Sequence, residues 1–164
     1  MAAKKIGPFG IWPSPITPQH AAKGSKRFGS VQAAGGAVYW SESRPEQGGR
    51  QVILRATRGG QAEELLPAPF SARSRVHEYG GGEFMVAGST IYFVNDKDQQ
   101  VYRLEPSGLP QRITDAPGTR FADFQTLGAE EGLLFHGFGG FEGLTDLWDF
   151  GWWTVSPLLA GTVR

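Results

Sequence analysis

Short apolar runs separated by glycine or polar turns fill the middle of the chain. Gly35-Gly-Ala-Val-Tyr-Trp-Ser-Glu42 leads from a turn into a β-branched and aromatic strand. After the polar turn Arg44-Pro-Glu-Gln-Gly-Gly49, the run Gln51-Val-Ile-Leu-Arg-Ala56 returns, so the pattern predicts a hairpin. A turn at Arg58-Gly-Gly60 leads to Ala62-Glu-Glu-Leu-Leu66, which Pro67 and Pro69 close because proline cannot donate to a ladder.

The same order recurs further on. Phe84-Met-Val-Ala-Gly-Ser89 and Thr90-Ile-Tyr-Phe-Val94 precede the polar turn Asn95-Asp-Lys-Asp-Gln99. Val101-Tyr-Arg-Leu104, the turn Pro106-Ser-Gly-Leu109 and Gln111-Arg-Ile-Thr114 then follow. Val38-Tyr39-Trp40 answers to Ile91-Tyr92-Phe93 at an offset of 53, and Val52-Ile53-Leu54-Arg55 answers to Val101-Tyr102-Arg103-Leu104 at 49. A near-constant spacing of this size, with three or four strands per unit, is the signature of propeller blades. A third unit opens at Arg120-Phe-Ala-Asp-Phe124 and continues at Gly132-Leu-Leu-Phe-His136.

The ends depart from this rhythm. Residues 6–18 carry too many prolines for a helix and too few free donors for a central strand, so they predict an extended arm that rests Trp12 and Ile16 on a body or in a groove. A short helix or turn over residues 20–26 is only weakly signalled. After Gly137 the aromatics crowd together with glycine between them and no hairpin turn at blade spacing appears, which suits a truncated blade or a shifted reading frame, the latter favoured because residues 155–160 continue no blade pattern. The expected division is an N-terminal arm over 1–34, a partial propeller over 35–136 and an aberrant tail over 137–164.

Composition agrees with many short strands: the 164 residues include 24 glycines and 11 prolines. Formal net charge is zero, but residues 1–60 hold nine Lys/Arg against two Asp/Glu, and residues 115–164 hold two against seven. Lys4, Lys5, Lys23, Lys26 and Arg27 are interrupted by Pro and Gly and lie in no binding motif, so they read as a solvated face and no nucleic-acid partner is expected. The absence of cysteine excludes disulfides, zinc-thiolate sites and a thiol nucleophile. The N-terminus has no apolar run of signal-peptide or membrane-spanning kind, so no membrane partner is expected and a cytoplasmic location is the default.

The chemistry concentrates in Arg73-Ser-Arg-Val-His-Glu-Tyr-Gly-Gly-Gly82, between the two similar units. Arg75, His77 and Glu78 could bind substrate, arginine taking a peptide carboxylate and glutamate a free amino terminus. The favoured reading is structural: Arg75 and Glu78 pair to fix the strand that follows, His77 bonds to backbone, and Tyr79-Gly80-Gly81-Gly82 allow close packing at the junction. His20, His77 and His136 are too scattered for metal ligation, and Asp96 with Asp98 reads as a polar turn rather than a calcium loop. Neither Gly80-Gly-Gly82 nor Gly137-Phe-Gly-Gly140 has the Lys-Ser/Thr end of a phosphate loop, so no metal and no cofactor is expected.

Several of these stretches together resemble the N-terminal part of a serine peptidase of the prolyl oligopeptidase family, in its dipeptidyl-aminopeptidase and acylaminoacyl-peptidase-like branch. They are Gly10-Ile-Trp-Pro-Ser-Pro-Ile-Thr17, Val38-Tyr-Trp-Ser-Glu42 with Arg44-Pro-Glu-Gln-Gly-Gly-Arg50, Ser74-Arg-Val-His-Glu-Tyr-Gly-Gly-Gly82, Ile91-Tyr-Phe93 with Asp98-Gln99, and Arg120-Phe-Ala-Asp123. The resemblance covers roughly residues 6–124 and fades beyond. It implies an all-β, incomplete β-propeller of about two blades plus the start of a third, which in the parent peptidase gates access of peptide substrates to an α/β-hydrolase domain.

The hydrolase domain is the implied partner, and it is not covered: no Gly-x-Ser-x-Gly elbow occurs, so no catalytic residue is assigned and no hydrolysis by this chain alone is expected. A stand-alone β-rich protein-binding module and a residual enzyme are the competing readings. An incomplete propeller would expose strand edges and faces, from which poor solubility is expected.

Overall fold

The computed structural model describes residues 24–126, isolated positions before them (Gly7, Pro8, Gly10, residues 14–18 and His20), and the backbone of residues 133–139 and 149–155. The architecture is all-β, built from antiparallel sheets whose strands follow one another in chain order. The first sheet contains β1 (Phe28–Ala34), β2 (Ala37–Arg44), β3 (Arg50–Thr57) and the two-residue β4 (Glu63–Glu64). The second contains β5 (Phe84–Ala87), β6 (Thr90–Val94), β7 (Val101–Leu104) and β8 (Gln111–Arg112). A third has β9 (Thr119–Thr126), β10 (Leu133–Gly139) and β11 (Asp149–Val155), in the order β11-β10-β9.

The predicted hairpins are present, with Trp40 opposite Leu54 and Phe93 opposite Tyr102. The second and third sheets open where the apolar runs predict, at β5 and β9, but the first begins one strand earlier. Residues 28–34 fall in the stretch assigned to an arm, yet they form β1, because Val31 to Ala34 pair residue by residue with Trp40 to Ala37. Trp12 and most of residues 1–23 lie outside the described residues, but Ile16, expected to rest on a body or in a groove, is described and is 59% exposed. At the other end β10 runs through the expected boundary at residue 137 and pairs with β11, Phe138 lying opposite Phe150. Aromatic and β-branched residues favour strand here in spite of the interspersed glycines. The remaining residues of the expected tail lie outside the described residues.

Period-two alternation explains how the sheets stack. In β6, Ile91 and Phe93 join one core with Ala37, Tyr39 and Ile53 of the first sheet, while Val94 joins a second core with Phe121 and Phe124 of the third. The second sheet is thus covered on both faces, which is why its strands read as nearly continuous hydrophobic runs. Phe93 and Tyr102 stack at 5.6 Å within the first of these cores, and Phe70, from the connection after β4, meets both rings edge-on. The leading strands adjoin in sequence, β1 beside β5 and β5 beside β9. A side-chain bridge joins the first two, the Val86 amide donating to Gln32 Oε1 at 2.7 Å.

Candidate functional site

Residues 73–82 lie in the connection from β4 to β5, at the meeting of all three sheets. The Ala72 amide donates to Gln51 O in β3, and the next amide, that of Arg73, donates to Val94 O in β6, both at 2.9 Å. The chain therefore leaves one sheet and reaches the next within a single residue. Ser74, fully buried, then ties the connection to the third sheet: its hydroxyl donates to Phe121 O at 2.7 Å and accepts the Val76 amide at 3.1 Å. A hydroxyl closing on the backbone two residues ahead is a local turn motif.

A 3-10 turn over Val76–Glu78 follows, with Val76 buried and His77 and Glu78 at φ values of 50° and 67°. The Gly80 amide closes it on Val76 O at 2.9 Å. At Gly80 (φ 77°) a Cβ would lie 2.5 Å from Ser74 O. Gly82 (φ 55°) approaches β9, where a Cβ would lie 2.3 Å from Asp123 Oδ1 and 2.7 Å from its amide nitrogen. That amide donates to Gly82 O at 3.2 Å. Both positions require glycine on two counts, a left-handed backbone and no space for a side chain. Gly81, between them, has φ 121° and open space around it.

Arg75 and Glu78 do not pair with each other as expected. The guanidinium of Arg75 donates to Asp96 Oδ1 at 2.9 Å in the β6–β7 turn, and its amide donates to Gln99 Oε1 at 2.7 Å. Glu78 accepts from Arg120 of β9, whose guanidinium also donates to Arg75 O at 2.9 Å. The correction has a simple cause: the turn holds the two side chains apart and offers each a partner on a different sheet. His77 stacks on Tyr79 with ring centroids 6.0 Å apart, and Tyr79 is 87% exposed.

The β6–β7 turn uses its aspartates internally. Asp98 accepts from Asn95 Nδ2 at 3.0 Å and from the Tyr102 hydroxyl at 2.7 Å, while Asp96 serves Arg75. Burial, then the hydrogen bond and negative charge of Asp98, push the Tyr102 hydroxyl up to about 12, against an opposing effect of Arg112. Among the described residues no group of three or more His, Asp or Glu side chains gathers as a metal site would require. Among those residues, no helix is long and apolar enough to cross a membrane.

The sequence reading passed over Glu83, the residue after the glycines. It is 6% exposed and accepts three hydrogen bonds from the first sheet: from the Ser30 amide at 3.0 Å, the Ser30 hydroxyl at 2.9 Å and the Ser41 hydroxyl. An acidic residue directly before a buried strand was the available signal, because a buried carboxylate must find donors. Glu83 also lines a cavity of about 990 Å³ that reaches from Gly24–Ser30 across the ends of β2 and β3 to Arg73, Tyr79 and Gly80.

No family model and no curated protein matches the chain. Solved structures do. A puromycin-hydrolysing peptidase of Mycobacterium tuberculosis superposes with a TM-score of 0.78 and 31% identity over 98% of this chain and 26% of its own. Puromycin hydrolase gives 0.74 and 32% over 92% and 25%, and a variant of it complexed with PGG gives 0.75 and 32% over 93% and 25%. The likeness extends past residue 124, where the sequence motifs end, and the chain spans about a quarter of the length of these peptidases. Its sheets correspond to their propeller domain. Over nearly its whole length the chain is therefore similar to an N-terminal part of peptidases of the prolyl oligopeptidase family.

Proposed function

We propose that this chain supplies the first two blades and the start of a third in a peptidase's propeller, where it gates peptide substrates on their way to a hydrolase domain. In this reading, bond cleavage belongs to that domain and the chain contributes no catalytic residue. The observation that carries the proposal is the likeness to puromycin-hydrolysing peptidases at 31–32% identity over nearly the whole chain. The order of β1, β5 and β9, each beside the next, supports it, since leading strands line the central channel when blades are arranged around an axis. The cavity lined by Arg73, Ser74, Tyr79 and Gly80 lies beside the start of β1 and the residue before β5.

Turnover measurements test the gate. The pure chain is expected to leave puromycin and aminoacyl-peptide substrates intact. Joined to a hydrolase domain carrying a Gly-x-Ser-x-Gly elbow, it is expected to confine turnover to short substrates, and removal of residues 1–126 to extend turnover to longer peptides. Turnover by the pure chain that survives inactivation controls for contaminating hydrolases overturns the proposal, as does a size preference that persists after the removal.

A further inference from the structure

The cavity beside the central connection has a chemical character that the gating role does not use. Arg27 and Arg73 both line it and both are exposed, and neither guanidinium forms an ion pair among the described residues. Six other arginines are ion-paired, Arg44 and Arg50 with Glu64, Arg75 with Asp96, Arg103 with Glu105, Arg112 with Asp115, and Arg120 with Glu78, while Arg55 lies over the Tyr39 ring and Arg58, outside the cavity, forms no ion pair among the described residues. The carboxylate in the cavity wall, Glu83, already accepts three hydrogen bonds from Ser30 and Ser41. It holds the wall together without contacting either arginine.

The same cavity is lined by Phe28 and Tyr79, 72% and 87% exposed and among the most exposed large hydrophobic side chains described. They come from different segments, Phe28 from the start of β1 and Tyr79 from the turn before β5. Two free guanidiniums attract an anion, and two exposed rings attract an apolar group attached to it. Inorganic phosphate would use only the first feature. A volume of about 990 Å³ suits a few linked residues better than a single ion.

We propose that this cavity binds the free C-terminal carboxylate of a short peptide, Arg27 and Arg73 holding the carboxylate and Phe28 and Tyr79 flanking an apolar residue near the peptide's end. The proposal rests on the reading that the chain serves a peptidase, and it names what the site would hold. It needs no hydrolase domain, so a binding measurement on this chain fails or succeeds independently of the turnover measurements that test the gate.

The test is calorimetric titration of the full 164-residue chain with Gly-Gly-Phe, with its C-terminal amide, and with inorganic phosphate. The free acid is expected to bind about tenfold more tightly than the amide, the difference one charge-assisted bidentate contact provides. Arg27→Gln and Arg73→Gln should each remove about that factor, while Phe28→Ser and Tyr79→Ser should weaken the acid and the amide alike. As a second readout, Gly-Gly-Phe should protect Arg27 and Arg73, but not Arg58, from phenylglyoxal, scored by mass spectrometry. Equal affinity for acid and amide, or unprotected arginines, overturns the carboxylate site. Phosphate binding as tightly as the peptide overturns the peptide class and leaves a plain anion site.

Discussion

The two seams between the sheets are built on different principles. Between the first and second sheets, a buried carboxylate, Glu83, gathers donors from β1 and β2 beside a core containing Phe93 and Ile53. Between the second and third, the core of Val94, Phe121 and Phe124 is joined by close backbone contact instead of a buried charge: Gly82 lies against Asp123, Ser74 reaches Phe121 O, and the charged pairs Glu78–Arg120 and Arg75–Asp96 lie at the surface. The first seam depends on satisfying a charge away from water, the second on the absence of side chains where backbones meet. A buried charge that loses its partners costs far more than a surface pair that separates.

The sharpest way to break this contrast is at Glu83. Replacing it with leucine leaves the Ser41 hydroxyl and the Ser30 amide without their acceptor, and should cost about 3 kcal/mol in urea unfolding. Gly82→Ala comes next, at about 2 kcal/mol, because a strained backbone is combined with contact against Asp123. Gly81→Ala, strained but unobstructed, should cost less, and equal losses at the two positions would remove the close-approach argument. Ser74→Ala should cost about 1 kcal/mol by freeing Phe121 O. Arg120→Gln should change stability by less than about 0.5 kcal/mol, and a larger loss would give the surface pairs a weight the comparison denies them.

The remaining effect is a pH dependence that appears only in alkali. The Tyr102 hydroxyl ionises at about 12 in the folded chain, above the 10 of a free tyrosine, so the folded state disfavours the phenolate. Its contribution is complete below about pH 10 and is lost as pH rises through about 12. Thermal melts should therefore decline over that window, with tyrosinate absorbance following the transition. Tyr102→Phe should remove the Tyr102 part of the slope, and an unchanged slope would place its origin elsewhere.

The hairpins β2–β3 and β6–β7 were legible because β-branched and aromatic runs flank polar turns, and their recurrence announced a repeat. Strand β1 was less legible, since Phe28-Gly-Ser-Val-Gln-Ala-Ala34 pairs on one edge only and exposes Phe28 and Val31. Strand β11 was hidden by glycines among its aromatics. In the central stretch, three consecutive glycines marked a junction correctly, but the partners of Arg75 and Glu78 could not be read, because each lies more than 20 residues away on a different sheet.

The sequence by itself determined the all-β class, the repeat, the ancestry and the position of the junction, since local alternation and turn chemistry act over a few residues. Only the tertiary structure decided that Glu83 fastens two sheets, that Gly82 must clear Asp123, and that Arg27 and Arg73, 46 positions apart in the chain, line one cavity. Those relations depend on how sheets stack, and no local pattern encodes the distance between residues on different sheets.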